Sequence, residues 1–300
     1  MKCGSSVRRR IMASDTLPVN VAAGDYARVD SPRGRIVTEG VQPPRHRSLS
    51  RGYGDAALDI LIEAIEVVSR ELGRSVPAPR GAPFYALEYA PGDLTPLDVL
   101  CLRGIFRKYE HALHIGAGLG APARWWATHF GCSVVGVDWA PGRARAAARL
   151  TARGGLAAQV RFVAADAAAL PLRARFFTHV WASDALRMMS DPTAALHEAW
   201  RVLRPGAHFG LHVGVGAAGA RSPADWCERL AAARFVDVSW QPAADPRVSQ
   251  VVQVARRRLE RVLNDWPSPL AAQLAIDYAV ACEAALRERP MALVFARRPA

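Results

Sequence analysis

Gly116, Gly118 and Gly120 crowd into the short stretch between two apolar runs, and the second of those runs ends on Asp138. Glycines let a backbone come close to a ligand, and a carboxylate at the tip of a strand can accept from both hydroxyls of a ribose. The first run, residues 111–115 (HALHI), reads as a strand. The amphipathic stretch after the glycines stops at Gly131, a good helix C-cap. Ser133–Val137 is a β-branched run that delivers Asp138. Strand, glycine turn, helix, strand and acid together make the opening half of a nucleotide-binding α/β fold.

The spacing narrows the ligand. A dinucleotide fingerprint is G-x-G-x-x-G, and its third slot here holds Ala121, whereas the third glycine is Gly120. G-x-G-x-G with an acid after the next strand fits S-adenosyl-L-methionine (SAM) better, because SAM has no pyrophosphate to seat on a helix N-terminus. A nicotinamide-dependent oxidoreductase is the alternative from another class. It would want a proton donor such as Tyr-x-x-x-Lys, and the only lysines are Lys2 and Lys108. Methyl transfer is an in-line displacement at an activated carbon, so positioning and desolvation can carry it without a catalytic side chain. Where an acceptor must lose a proton, Asp184 is the candidate base, and Arg187 is a candidate partner for an anionic substrate; the alternative for both is a solvated or ion-paired loop residue. The eight histidines show no H-E-x-x-H or other helical ligand spacing, so no metal is expected.

These residues need a scaffold, and the patterning supplies one. Leu58, Leu61, Ile62, Ile65, Val68 and Leu72 form one stripe of a helix over 55–72, with Gly73 expected to end it. Thr95-Pro96-Leu97-Asp98 starts a second helix, running to about Tyr109. Phe84, Tyr85 and Tyr89 between them either pack or line a pocket. Past Asp138 the rhythm is regular: helix 141–153, strand 160–165 ending at Asp166, strand 178–182, helix 192–203, turn 204–206, strand 207–215. Strands alternating with helices imply a parallel sheet covered on both faces. Ser222-Pro223-Ala224-Asp225 caps a further helix, 235–240 is a strand, 248–264 and 270–287 are helical, and 291–296 is a last strand. That ending fits an antiparallel pair at the sheet edge.

Length and composition set bounds. A chain of 300 residues with 51% hydrophobic content can bury a large core. No apolar run reaches the roughly 18 residues of a membrane span, and the basic N-terminus lacks the apolar region of a secretory signal. Met1 and Met12 are both conceivable starts. Five scattered cysteines without C-x-x-C spacing fit thiols in a reducing cytoplasm. Of the net +12, residues 1–51 hold ten Lys/Arg against four acids, so half the excess sits in a Pro/Gly/Ser/Arg-rich tail expected to be disordered. That placement argues against a nucleic-acid partner.

The order of motifs resembles the class I SAM-dependent methyltransferases, in particular the small-molecule branch with glycine/sarcosine, phosphoethanolamine and sterol-type enzymes. GAGLGAPARWWATHFGCSVVGVDWAP is similar to that family's glycine loop through second strand, VRFVAADAAALP to its third strand, VWASDALRMMSD to its substrate-facing strand, and EAWRVLRPGAHFGL to its fifth. The resemblance implies a Rossmann-like sheet, parallel with an antiparallel C-terminal edge strand and helices on both faces. It implies a 111–300 SAM-binding domain with an insertion at about 248–287, while the two helices ahead of the first strand suit a 52–110 helical cap that borders a pocket. Gly116, Ala117, Gly118 and Gly120 would pass under the methionine and ribose. Asp138 would take the ribose hydroxyls, Trp139 would lie against the adenine, and Asp166 with Ala167 would meet its amino group. Arg187 and Met188 would face the substrate, a small molecule. The family usually carries an acid two residues before the first glycine, where it helps organise the SAM amino group; this chain has His114 there, a cofactor-binding candidate whose neutral ring could accept one hydrogen bond. Phe177-Thr178 replaces a frequent Phe-Asp, and Met188 stands where many relatives carry His. These departures keep a second expectation in view, a catalytically weakened partner subunit. Assembly as a homodimer is equally compatible with the resemblance.

Overall fold

The computed structural model describes residues 55–75, 108–215, 222–243, 250–270, 272–273, 275–276 and 291–300. The tail at 1–51, the expected helix from Thr95, the aromatic residues 84, 85 and 89, and most of 270–287 lie outside them.

The order is α1 (Asp55–Ser75), β1 (His111–Ile115), α2 (Ala121–Phe130), β2 (Ser133–Asp138), α3 (Pro141–Arg153), β3 (Val160–Ala164) and β4 (Phe177–Ser183). A 3-10 turn (Leu186–Met188) follows, then α4 (Pro192–Val202), β5 (Leu203–Gly214), α5 (Pro223–Ala232), β6 (Val236–Pro242), α6 (Gln250–Asn264) and β7 (Met291–Arg297). The seven strands stand in the order β3-β2-β1-β4-β5-β7-β6. β1 to β5 are parallel, and β7 runs antiparallel to both β5 and β6. The antiparallel pair is therefore at the edge as expected, with β6 outermost. Strand order reverses between β1 and β4, and an open sheet of this kind binds ligands outside the carboxyl ends at that reversal.

Alternation of side chains sorts the core onto two faces. Leu113, Ile115, Val180, Ala182, Phe209 and Leu211 point to one face, where Leu196, Ala199 and Val202 of α4 and Trp226 and Leu230 of α5 cover them. Ala112, Val134, Trp181, Leu293 and Phe295 point to the other, under Ala123, Trp126 and Ala127 of α2. A third cluster joins distant parts of the chain. Leu58, Leu61, Ile62, Ile65 and Val68 of α1 meet Leu259 and Leu263 of α6, Ala272, Ala275, and Ala146 and Leu150 of α3. Full burial of each leucine or isoleucine contributes roughly 1.5–3 kcal/mol relative to exposure. Leu119, inside the glycine turn, belongs to this cluster.

Local signals set most boundaries. Gly131 ends α2 in the left-handed region, its N–H donating to Ala127 O. Asp191 caps α4, and Ser222 and Asp225 form a reciprocal capping box on α5. Most other boundaries fall within two residues of the sequence reading, and two are changed by the structure. α1 runs past Gly73 to Ser75. β5 starts at Leu203, which pairs with Phe177, so Arg204-Pro205-Gly206 lies within the strand. Gly206 keeps a turn-like φ of +74° while its N–H reaches the carbonyls of Arg298 and Pro299.

Candidate nucleotide-binding site

The glycine turn leaves β1 at the reversal point and is tied back to β2. The N–H groups of Gly116 and Ala117 both donate to Val137 O, at 2.8 and 2.9 Å. Gly116 and Gly118 serve different needs. Gly116 has φ +71°, and a Cβ there would sit 2.1 Å from Ala185 Cβ, so the turn packs directly on the segment after β4. Gly118 has φ +55°, and a Cβ there would meet nothing within 4 Å. One glycine makes room for protein, the other faces open space. Gly120 is the N-cap of α2.

Asp138 ends β2 buried, with 4% of its surface exposed. Its Oδ2 accepts from Gly118 N–H at 2.9 Å and its Oδ1 from Ala140 N–H at 3.0 Å. Arg143 lies 4.0 Å away. Each carboxylate oxygen has a second lone pair, so the group can still accept from two hydroxyls. Trp139, next along, is exposed, as is Asp166, whose Oδ1 accepts from Ala168 N–H at 2.9 Å. Ala167 turns inward and packs in the core.

His114 sits on β1 between Gly136 of β2 and Trp181 of β4. Trp126 of α2 meets its ring edge-on at 5.1 Å. It is 1% exposed, and neither ring nitrogen has a hydrogen-bond partner. Desolvation lowers its pKa to about 3, so the ring is neutral.

Asp184 follows β4 with φ +51°, a conformation that Asp tolerates better than most residues. Arg187 grips its carboxylate with Nε and Nη2, at 2.5 and 2.6 Å, and Gly214 N–H adds a third contact at 3.2 Å. Arg187 and Met188 lie half-buried in the 3-10 turn. The structure thus brings the glycine turn, Asp138 and His114 together at β1 and β2, and groups Asp184, Arg187 and Met188 across the reversal beyond β4.

Sequence reasoning missed two supports. Arg124 is fully buried under the turn, donating to Leu119 O at 2.8 Å and Thr151 Oγ1 at 3.2 Å. Desolvation lowers its pKa to about 9, which leaves it charged at neutral pH. Its signal was a lone charge in an otherwise apolar helix start, APARWWA. Ala185 is the second, small because Gly116 touches it. Among the described residues no group of three or more His, Cys, Asp and Glu is placed to hold a metal.

Comparison with known proteins places this geometry. The family described as a methyltransferase domain matches residues 113–211. Methyltransferase GfsG of Streptomyces halstedii is 33% identical over 129 residues, covering 40% of this chain and 46% of that protein. The chloroplastic tocopherol O-methyltransferase of Arabidopsis thaliana is 31% identical over 103 residues, covering 34% and 30%. The chain thus spans less than half the length of these curated relatives. Among solved structures, the [4+2]-cyclase SpnF superposes with a TM-score of 0.53 at 25% identity, over 67% of this chain and 79% of that one. Phosphoethanolamine N-methyltransferase 2 of Haemonchus contortus, solved with SAM, superposes with a TM-score of 0.57 at 19% identity over 84% and 59%, a likeness of fold. Residues 113–211, which carry β1 to β5, the glycine turn and Asp138, match the methyltransferase-domain family.

Proposed function

We propose that this chain is a SAM-dependent methyltransferase that acts on a small molecule in the cytoplasm. The observation that carries the reading is the bond from Gly118 N–H to Asp138, which fixes a strand-end carboxylate against a turn that faces open space. That arrangement fits SAM, since a nucleoside can lie over Gly118 with its ribose hydroxyls on Asp138. Trp139 and Asp166, exposed at the carboxyl ends of β2 and β3, would border the adenine. Free Cys132 and Cys227 accord with a reducing compartment. No described helix is long and apolar enough to cross a membrane.

When bound, SAM supplies a methyl group already activated on a sulfonium. The residues of this chain bind, orient and exclude water. Gly116 and Ala185 close the floor between β1 and β4, and the cluster of α1, α3 and α6 around Leu119 holds the turn from its other side. Asp184, held by Arg187, orders the rim beyond β4. Loss of that pairing to an anionic acceptor would present Arg187 to it and release Asp184 as a base. The test is a calorimetric titration of SAM and S-adenosylhomocysteine with Asp138→Ala as control, followed by transfer of labelled methyl to a panel of small acceptors. Micromolar binding that the variant loses supports the cofactor site, and label in an acceptor supports the activity.

A second reading, a catalytically weakened partner subunit, is favoured by one observation, the uncharged His114 at a position where the family usually has an acid. Binding without methyl transfer to any acceptor would select it. The shared fold of a [4+2]-cyclase also keeps chemistry and fold separate questions.

A further inference from the structure

Charge along the sheet is sorted end to end. Asp138, Asp166, Asp184, Asp191 and Asp225 stand where strands finish or helices begin, at the end that carries the glycine turn. Arginines gather at the opposite end. Arg175 precedes β4, Arg204 is the second residue of β5, and Arg234 precedes β6, and all three are exposed. They surround the close of α4. Arg175 N–H donates to Arg201 O at 3.0 Å, Trp200 Nε1 donates to Arg234 O at 3.2 Å, and Arg204 directly follows Leu203.

The carboxyl end of a helix attracts cations, and here that attraction is satisfied from within. Buried Arg298 lies over the Trp200 ring at 3.7 Å and donates to the carbonyls of Trp200, Arg201 and Leu203. Nearby acids are engaged as well, Glu198 by Arg201 and Asp237 by Arg297. Among the described residues, the guanidinium groups of Arg175, Arg204 and Arg234 therefore have neither an ion pair nor a hydrogen bond. Arg298 feels the crowding, since its pKa is lowered by burial first and by the charge of Arg175 second. Tyr109, 73% exposed ahead of β1, and Val236, 39% exposed at the start of β6, add apolar surface at the same end.

We propose that this end of the sheet is a docking surface for the acidic face of a partner protein, held through Arg175, Arg204 and Arg234. The arginine fork takes a carboxylate through two bonds. A phosphate backbone offers nothing to Val236, whereas arginine mixed with aromatic and aliphatic surface is what protein interfaces carry. A partner held here leaves the glycine turn, at the far end of the strands, open to its ligand. The surface is independent of which ligand that turn takes.

The probe is a fluorescein-labelled peptide of alternating glutamate and leucine, titrated with the full chain by fluorescence anisotropy beside a single-stranded RNA of equal charge. Arg175→Glu with Arg234→Glu should weaken the peptide about tenfold. Arg257→Glu with Arg261→Glu, exposed on α6, makes the same change in net charge and should weaken it less than about twofold. Thermal midpoints report whether each variant is folded. Should the reversed variant unfold, Arg175→Gln with Arg234→Gln takes its place, with a smaller loss of the same kind expected. Equal losses at the two sites, or a wild type that does not bind the peptide, overturn the proposal. A larger loss for the RNA than for the peptide also overturns it and makes the surface a nucleic-acid contact.

Discussion

Asp138 and Gly118 lie twenty residues apart in the chain and meet at 2.9 Å, carboxylate Oδ2 to backbone N–H. The carboxylate is nearly sealed from water, and its other oxygen holds Ala140 N–H. One side chain therefore sets the shape of the turn and, on the function proposed above, would present the ribose acceptor. Asp138→Ala should cost about 1–3 kcal/mol, the penalty of stranding a buried donor, and weaken S-adenosylhomocysteine by about tenfold or more. Asp138→Asn keeps one acceptor and should retain more of the stability than of the affinity. Urea denaturation beside calorimetry reads both. Full affinity in the alanine variant would remove Asp138 from the site.

The two glycines that flank Ala117 should fail differently. Both have positive φ, so alanine at either adds about 1–2 kcal/mol of backbone strain. Gly116→Ala also drives a methyl into Ala185 and should lower the thermal midpoint by several degrees more. Gly118→Ala places its methyl in open space, so its larger effect should be on ligand affinity. Midpoints and dissociation constants that fall in parallel for the two variants would contradict this division.

Arg149 of α3 reaches Asp59, Glu63 and Glu66 of α1, at 3.6, 3.6 and 3.7 Å. Arg153 adds a second link to Glu66 at 3.4 Å. Asp59 and Glu63 are exposed while Glu66 is mostly buried, and Arg149 itself is about a third exposed, so the contribution of Arg149 is modest. Arg149→Gln should lose about 0.5–1 kcal/mol at low salt and very little at about 1 M salt, where screening acts within about 3 Å. A loss that does not change with salt would point to packing of the arginine stem instead.

His114 makes stability depend on acid. Folded, its pKa is lowered to about 3 by burial, while in the unfolded chain it titrates near 6.5. Between those values the unfolded state binds the extra proton. Stability is therefore full above about pH 6.5 and declines as pH falls through the window, by up to about 1.4 kcal/mol per unit. His114→Asn has no such proton, so its stability should fall less steeply from about pH 6.5 downward. His111 and His208 are also lowered by burial, and being common to both proteins they cancel in the difference. Parallel curves for wild type and variant would refute the buried neutral state.

Sequence alone revealed whatever is local and periodic. Leu113 and Ile115 alternate with Ala112 and His114, and that alternation is the two-faced burial of β1. Gly131 and the Ser222–Asp225 box announced their helix ends because a cap is a short-range event. Residues 204–206 read as a turn, and yet Leu203 pairs with Phe177 because a neighbouring strand supplied the partner. Gly73 failed to stop α1, since one glycine costs only about 1 kcal/mol in a helix. Of the site, the glycine turn and Asp138 were legible from spacing. Arg187 paired with Asp184 matches the ion-paired alternative read for both, whereas Arg124 beneath Leu119 was not legible, because it depends on which groups a fold leaves dry.

β7 follows β6 in the chain but stands inside it in the sheet, between β6 and β5. During synthesis the matched domain emerges first, and β5 then shows a full row of unpaired amides until Met291–Arg297 arrives to zip along it. Among the described strands β6 pairs with β7 alone, so it cannot join the sheet sooner. The nascent protein thus passes through a stage with a long sticky border, the kind that seeds aggregation. A ribosome stall or a nonsense codon shortly before residue 291 should leave the glycine turn in place and the product insoluble.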